Sequence, residues 1–217
     1  MYASSKKLAL KNMKKNSLAL FDFDGTLYLR DSFTRFIFYV LKSRYVFKKG
    51  VALIPWVQKY YLNLYPAPKM RKKLFYTMFE GFDSAHVEAD GKNYAKTLLA
   101  DLNPILWAQL KQHQELGHRV VLVSASIDLY LKPLCDLLGI DLICTKTEVM
   151  NGHLTGLYIS EDCSGEEKKI QVLKSYPRDE YGSIYAYGNT HEDLAMLSIA
   201  DFPFMVGEDE ILPALNS

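Results

Sequence analysis

The chain has 217 residues, 49% hydrophobic and 24% charged, which suits one folded domain, with or without a sizeable insertion, and excludes global disorder. Three widely spaced cysteines, Cys135, Cys144 and Cys163, exclude a disulfide scaffold and point to a reducing compartment, and the five histidines lack zinc-ligand spacing. The net charge of +1 hides a segregation: residues 1–17 hold five lysines and no acid, and residues 32–79 hold ten Lys or Arg, thirteen aromatics and again no acid.

The first seventeen residues read as a basic tail with no apolar stretch of signal-peptide length. No run in the chain reaches the length of an uncharged spanning helix, so the expected location is the cytoplasm. Residues 18–23 (LALFDF) are a short apolar run that stops at a turn, which predicts a parallel strand covered on both faces. From residue 32 to about 100 the period becomes helical. Phe33, Phe36, Ile37 and Val40 share one face, as do Leu74, Met78 and, less tidily, Phe82. Gly81 ends a helix and Asp83-Ser84 begins another, so about four helices and no strand are expected there.

Beyond Asn103-Pro104 strands and helices alternate. Residues 105–116 predict a helix closed by Gly117, 119–123 (RVVLV) a buried strand, and 127–138 a helix ended by Gly139. A third strand begins at 141–144, and 149–158 read as a hairpin turning at Asn151-Gly152. Helices over 166–174 and 191–199 alternate with strands over 183–187 and 203–206. This order predicts a doubly wound, mostly parallel α/β sheet. Residues 18–30 and 103–217 then form the core, and 31–102 an inserted all-helical cap.

In such sheets the ligand crevice lies beyond the carboxyl ends of the strands. Reactive residues collect at those ends: Asp22-Phe23-Asp24-Gly25-Thr26-Leu27, Ser124-Ala125-Ser126, and Gly188-Asn189 with Glu192 and Asp193 just beyond. Lys168 lies near the start of a helix, in Gly165-Glu166-Glu167-Lys168. Taken together these segments resemble the haloacid dehalogenase superfamily of aspartate-nucleophile phosphatases. More narrowly they resemble subfamily IB, the branch containing phosphoserine phosphatase, through VLVSAS, Leu154-Thr155-Gly156, CSGEEK and YGNTHEDLAML. That branch carries a helical cap after its first motif.

The resemblance implies that Asp22 attacks phosphorus and forms an aspartyl-phosphate. Asp24, two residues on, would protonate the leaving oxygen and then deprotonate the attacking water. Ser124 with the N–H groups that follow it would hold phosphoryl oxygens, with Thr26 and Ala125 also at the phosphate. As a simple N-cap for the helix at 127–138, Ser126 is the better candidate. Lys168 would neutralise nucleophile and phosphate, and family spacing from Gly165 selects it over Lys169, which suits a solvated face. Mg2+ would be held by Asp22, the Asp24 main-chain carbonyl, Asn189 and water, with Asp193 in direct contact or one shell out. Many members have aspartate at the position of Asn189; an amide oxygen still coordinates a hard cation but removes one negative charge.

The cap bears on the substrate. Asp31 lies nine residues beyond Asp22, where phosphoserine phosphatases carry a glutamate that reads the substrate amine. Those enzymes also follow the second-motif serine with two glycines, where this chain has Ala125 and Ser126. Both departures count against phosphoserine. The basic aromatic segment suits a lipid or otherwise amphipathic phosphomonoester and peripheral contact with an anionic membrane. A helical bundle with aromatic core positions and a solvated cationic rim explains the same composition, and is the preferred reading because amphipathic helices are commoner in cores. Arg71 is a candidate for the distal end of the substrate, although Arg71, Lys72 and Lys73 are expected to be exposed. No nucleic-acid motif accompanies the charge, so no nucleic-acid partner is expected. The alternatives to a hydrolase are a phosphotransferase or mutase that excludes water, and a phosphate-binding module that has lost turnover.

Overall fold

The computed structural model describes residues 15–216, so most of the basic tail expected over residues 1–17 lies outside the described residues. The central strand β1 is Leu18–Phe21. Five helices follow it: α1 (Ser32–Val40), α2 (Ser43–Gly50), α3 (Ile54–Tyr61), α4 (Ala67–Phe79) and α5 (Ser84–Leu99). The chain continues through α6 (Pro104–Glu115), β2 (Arg119–Ile127), α7 (Asp128–Leu138) and β3 (Asp141–Thr145). A hairpin, β4 (Thr147–Met150) and β5 (His153–Tyr158), precedes α8 (Glu166–Ser175). It ends with β6 (Ile184–Gly188), a short α9 (Leu194–Leu197) and β7 (Phe202–Met205).

Five strands form one parallel sheet in the order β3-β2-β1-β6-β7. The strand β1 is continuously apolar because both faces are covered. Leu18 and Leu20 meet Val121, Val123, Ile184 and Ala186 on one side, whereas Ala19 and Phe21 join Val120, Leu122, Tyr185 and Tyr187 on the other. That is the period-two alternation of a strand buried twice. Because the chain leaves β1 toward β2 and later returns to its other edge as β6, the strand order reverses at β1. The crevice of such a sheet opens at that point.

Local signals set the boundaries. The Asp83 side chain accepts from the His86 N–H at 2.8 Å and starts α5, and Asn103 does the same for Ile105 ahead of α6. At the hairpin both Asn151 and Gly152 have positive φ, 52° and 78°, as a two-residue turn matched to strand twist requires. Two boundaries differ most from the sequence expectation. The strand β2 runs on to Ile127, because pairing with β3 resumes at Ile127 and Thr145 after a register shift beyond Ser124. The helix expected over 191–199 is a 3-10 turn, His191–Asp193, followed by α9. The Asp193 carboxylate accepts from the N–H groups of Asn189 and Thr190, tightening the turn.

The helical segment between β1 and β2 packs unevenly. Phe36 of α1 lies 5.8 Å from Phe79, 5.3 Å from Tyr94 and 4.8 Å from Tyr130 of α7, ring centre to ring centre, so one aromatic cluster joins α1, α4 and α5 to the sheet side. For these helices the core reading of the aromatics holds. In α3 no residue is buried. Among the described residues no helix is long and apolar enough to cross a membrane.

Helices α5 and α7 cross at Gly91, where a Cβ would stand 2.1 Å from the Leu129 carbonyl oxygen, a backbone atom that cannot step aside. Gly91→Ala therefore lowers stability by about 2 kcal/mol despite the better helix propensity of alanine. Gly50→Ala, at a helix end with nothing within 4 Å, is neutral or stabilising. Urea midpoints at unchanged m-value test the pair, and equal effects at both positions contradict the packing account.

Candidate active site

The turn after β1 places two carboxylates side by side. Asp22 is buried, and its main-chain N–H donates to the Tyr187 carbonyl at 2.9 Å, so the sheet itself fixes its position. Its Oδ1 accepts from Lys168 Nζ at 2.5 Å and its Oδ2 from Thr26 Oγ1 at 3.1 Å. Burial pushes the Asp22 carboxyl up to about 7, only partly offset by the Lys168 ammonium. Gly25 makes the turn possible: its φ is +85°, and a Cβ there would lie 1.9 Å from Asn189 Nδ2.

Lys168 enters from the first turn of α8 and is only 2% exposed. Its Nζ bridges Asp22 and Asp193 at 2.5 Å each. Burial alone would discharge it, but the two carboxylates outweigh that and raise its pKa. Asp193 is held below the usual carboxylate range despite burial, by Lys168 and by the N–H groups of Asn189 and Thr190. Lys169 is partly exposed and makes no such pair.

Asp24 is turned toward the helices. Its Oδ1 accepts from the Ser32 N–H at 2.6 Å and its Oδ2 from Ser126 Oγ at 2.5 Å. Burial raises its pKa against both hydrogen bonds. Ser32 Oγ is 2.9 Å from Tyr130 Oη, and Tyr94 Oη donates to the Ser32 carbonyl at 2.9 Å. Ser126 is thus not the cap of α7, which has Ile127 at its N-cap and no side-chain cap. The β2–β3 register passes over Ala125 and Ser126, and that irregularity frees the Ser126 hydroxyl to reach Asp24. The Ser124 hydroxyl accepts from the Ser126 N–H at 3.1 Å and faces the same cavity. Tyr94 and Tyr130 carry no sequence signal for this cluster, because they meet Ser32 across 62 and 98 positions.

The cavity measures about 430 Å³ and is lined by Asp22, Asp24, Ser124, Ala125, Lys168, Asn189 and Asp193 at its base. Thr26 lies just beneath, fully buried against Asp22. The far wall is apolar, built by Phe33, Val57, Tyr60, Tyr61, Met70 and Leu74. The two cap residues considered for substrate contact also line it, but each has another partner. Asp31 caps α1 by accepting from the Thr34 N–H at 2.9 Å and the Thr34 hydroxyl at 2.6 Å. Arg71, expected to be exposed, instead forks onto Asp162 at 2.7 and 2.8 Å and onto Glu192 at 3.1 and 3.2 Å. Neither acid carried a sequence signal for this pairing.

The hard oxygens at the base suit a divalent cation: the Asp22 carboxylate, the Asn189 amide oxygen, 3.4 Å from Thr26 Oγ1, and the main-chain carbonyl of Asp24. Asp193 is committed to Lys168 and to two N–H groups. Among the described residues no group of three or more His, Cys, Asp or Glu gathers in metal-binding arrangement.

Residues 19–198 match the family model of haloacid dehalogenase-like hydrolases. Protein CicA of Caulobacter vibrioides is 31% identical over 190 residues, 85% of this chain and 83% of that protein. A solved protein of unknown function from Bordetella pertussis Tohama I superposes with a TM-score of 0.75 at 20% identity, covering 88% of this chain and 90% of its own. A phosphoserine phosphatase, solved as an analogue of its phospho-aspartyl intermediate, gives a TM-score of 0.61 at 19% identity, covering 89% and 87%. These solved structures share the fold.

The Arg71 fork makes a stability prediction. Asp162 has 4% of its side chain exposed, so Arg71→Met strands a buried charge and lowers unfolding free energy by about 3 kcal/mol. Adding Asp162→Asn recovers part of the loss. Lys72→Met breaks only the exposed pair to Glu161 and changes stability by less than about 0.5 kcal/mol. Equal losses for Arg71→Met and Lys72→Met in urea unfolding contradict the assignment.

Proposed function

The chain belongs to the haloacid dehalogenase-like hydrolase family, and we propose that it is a Mg2+-dependent phosphomonoester hydrolase working through a phosphorylated Asp22. The observation that carries this reading is the base of the cavity. Two carboxylates two residues apart flank one turn, and a buried ammonium lies 2.5 Å from the first. A binding module has no need of a nucleophile held in this way.

Asp22 attacks phosphorus, the bond to the leaving oxygen breaks, and Asp24 delivers the proton that oxygen needs. Water then attacks the aspartyl-phosphate, Asp24 takes its proton, and inorganic phosphate leaves with Asp22 restored. The upward push that burial gives Asp24 suits a group that must give up a proton and regain it. The Ser32 N–H and Ser126 Oγ hold that carboxylate in place. Lys168 and Ser124, with Thr26 and the Ala125 N–H, balance the charge on the phosphoryl oxygens. Asp193 acts through Lys168 and Asn189 as a positioning residue. Asp22, Asn189 and the Asp24 carbonyl would hold a Mg2+ ion, which would supply further positive charge at the reacting phosphate.

The helical segment 31–102 serves as the cap, and its apolar wall sets the substrate class: a phosphomonoester whose organic part has an apolar or aromatic body, including a lipid phosphate. Arg71 is paired with Asp162 and Glu192, leaving it no free charge for the carboxylate of an amino acid, and Asp31 is held as the N-cap of α1. In this reading water completes the cycle; release of inorganic phosphate without an added acceptor separates it from phosphotransfer.

Phosphate release from sugar, nucleotide, amino-acid, aryl and short-chain lipid monophosphates, with and without Mg2+, tests the proposal. Release depends on Mg2+, favours the aryl and lipid members, and falls about a thousandfold or more in Asp22→Asn. Release that survives Asp22→Asn contradicts the nucleophile, and a preference for phosphoserine contradicts the reading of the wall. Asn189→Asp, which restores a charge to the cation site, lowers the Mg2+ concentration needed for half-maximal rate. An unchanged Mg2+ dependence sinks that assignment.

A further inference from the structure

The helix α3 has the sequence IPWVQKYY and no buried residue, an unusual state for an apolar helix in a folded domain. Around it the chain exposes Phe47, Val51, Ile54, Tyr61, Leu62 and Leu64, with Phe47 77%, Leu64 71% and Leu62 67% exposed. Lysines are interleaved with them. Lys59 and Lys73 lie 4.9 and 4.2 Å from the centre of the Trp56 ring, and Lys49 lies 5.8 Å from that of Tyr45. Among the described residues none of Lys48, Lys49, Lys59 and Lys73 meets a carboxylate, and residues 32–79 contain none to offer.

We propose that α3 and its flanks, residues 47–64, form a docking surface for an anionic lipid bilayer. Apolar side chains on a helix with no buried residue, aromatic rings, and unpaired cations on long stems are what an interfacial segment needs. The chains and rings enter the boundary layer, and the ammonium groups stay with the headgroups. Charge complementarity selects the occupant. A second copy docked face to face would oppose Lys48, Lys49, Lys59 and Lys73 of each copy, with no acid in residues 32–79 to pair them. A nucleic acid would use the lysines and rings but gains nothing from exposed Val51, Ile54, Leu62 and Leu64. Val57, Tyr60 and Tyr61 of the same helix line the cavity, so docking sets one wall of the cavity at the lipid face. The docking itself stands independently of the hydrolase reading.

Co-sedimentation of the full chain with vesicles tests this directly, using neutral phosphatidylcholine and the same lipid with about one third anionic lipid. The protein sediments with the anionic vesicles, does not with the neutral ones, and loses at least about tenfold in affinity when salt is raised well above physiological strength. The triple variant Phe47→Ser, Leu62→Ser, Leu64→Ser loses about tenfold or more in vesicle affinity, while its hydrolysis of a soluble phosphomonoester matches wild type. A second reading needs no change in the patch: in Trp107→Phe the remaining Trp56 emission shifts to the blue on adding anionic vesicles. Absence of binding at low salt overturns the proposal, as does binding that the three serines leave unchanged. So does a wild-type dimer that the serines convert to monomer, or an oligonucleotide that binds both forms equally and displaces the vesicles. Loss of hydrolysis with binding intact would speak only against the hydrolase reading.

Discussion

Lys168 carries a positive charge into a place that water barely reaches, and it stays there because Asp22 and Asp193 meet it from either side. Remove both carboxylates and the buried ammonium is left uncompensated, among the most destabilising changes a fold can suffer. The three residues come from three connections of the sheet: the turn after β1, the start of α8 and the turn after β6. Their meeting is possible because β1 lies between β2 and β6, so that the strand order reverses where the carboxyl ends gather. The ion cluster thus ties the topology to the chemistry. Gly25 and Gly188 carry the same constraint at the backbone, since a Cβ on either would press into Asn189 or Asp193.

A second group of contacts joins the helical segment to that base. Asp24 accepts from the first residue of α1 and from the end of β2, and behind these stand Tyr94 of α5 and Tyr130 of α7. Arg71 of α4 holds Asp162 and Glu192 on the opposite side. The helices are therefore fastened at two edges of the cavity by polar contacts and across its back by the cluster around Phe36. Between the fastenings lies the apolar wall of the cavity. If the segment serves as the proposed cap, a cap fixed in this way would narrow substrate choice mainly by shape and hydrophobicity.

What the sequence disclosed and what it withheld follow a physical line. Asp22, Asp24, Ser124, Lys168 and Asn189 stand at strand ends or a helix start, positions that the alternation of apolar runs and turns locates, and the structure brings them to one cavity. The parallel sheet was legible for the same reason: an apolar run such as residues 18–21 suits only a strand covered on both sides. Ser126 was misassigned because a serine two residues before a helix looks like a cap, and only the irregular pairing of β2 with β3 turns it to Asp24. Arg71 was expected in solvent because its acids lie 91 and 121 positions away. Phe36 was legible as core from the helical repeat it shares with Phe33, Ile37 and Val40, whereas no such repeat placed Phe47, which stands in solvent.

The central claim is that Asp22 becomes covalently phosphorylated during turnover. An acid quench during steady-state turnover of an aryl phosphate with Mg2+, followed by mass spectrometry of the digested protein, tests it most directly. The account predicts one added phosphoryl group on the peptide that contains Asp22, absent from Asp22→Asn and lost when the quenched protein is treated with hydroxylamine. Steady release of phosphate with no phosphorylated peptide, or with the label on another residue, would contradict it.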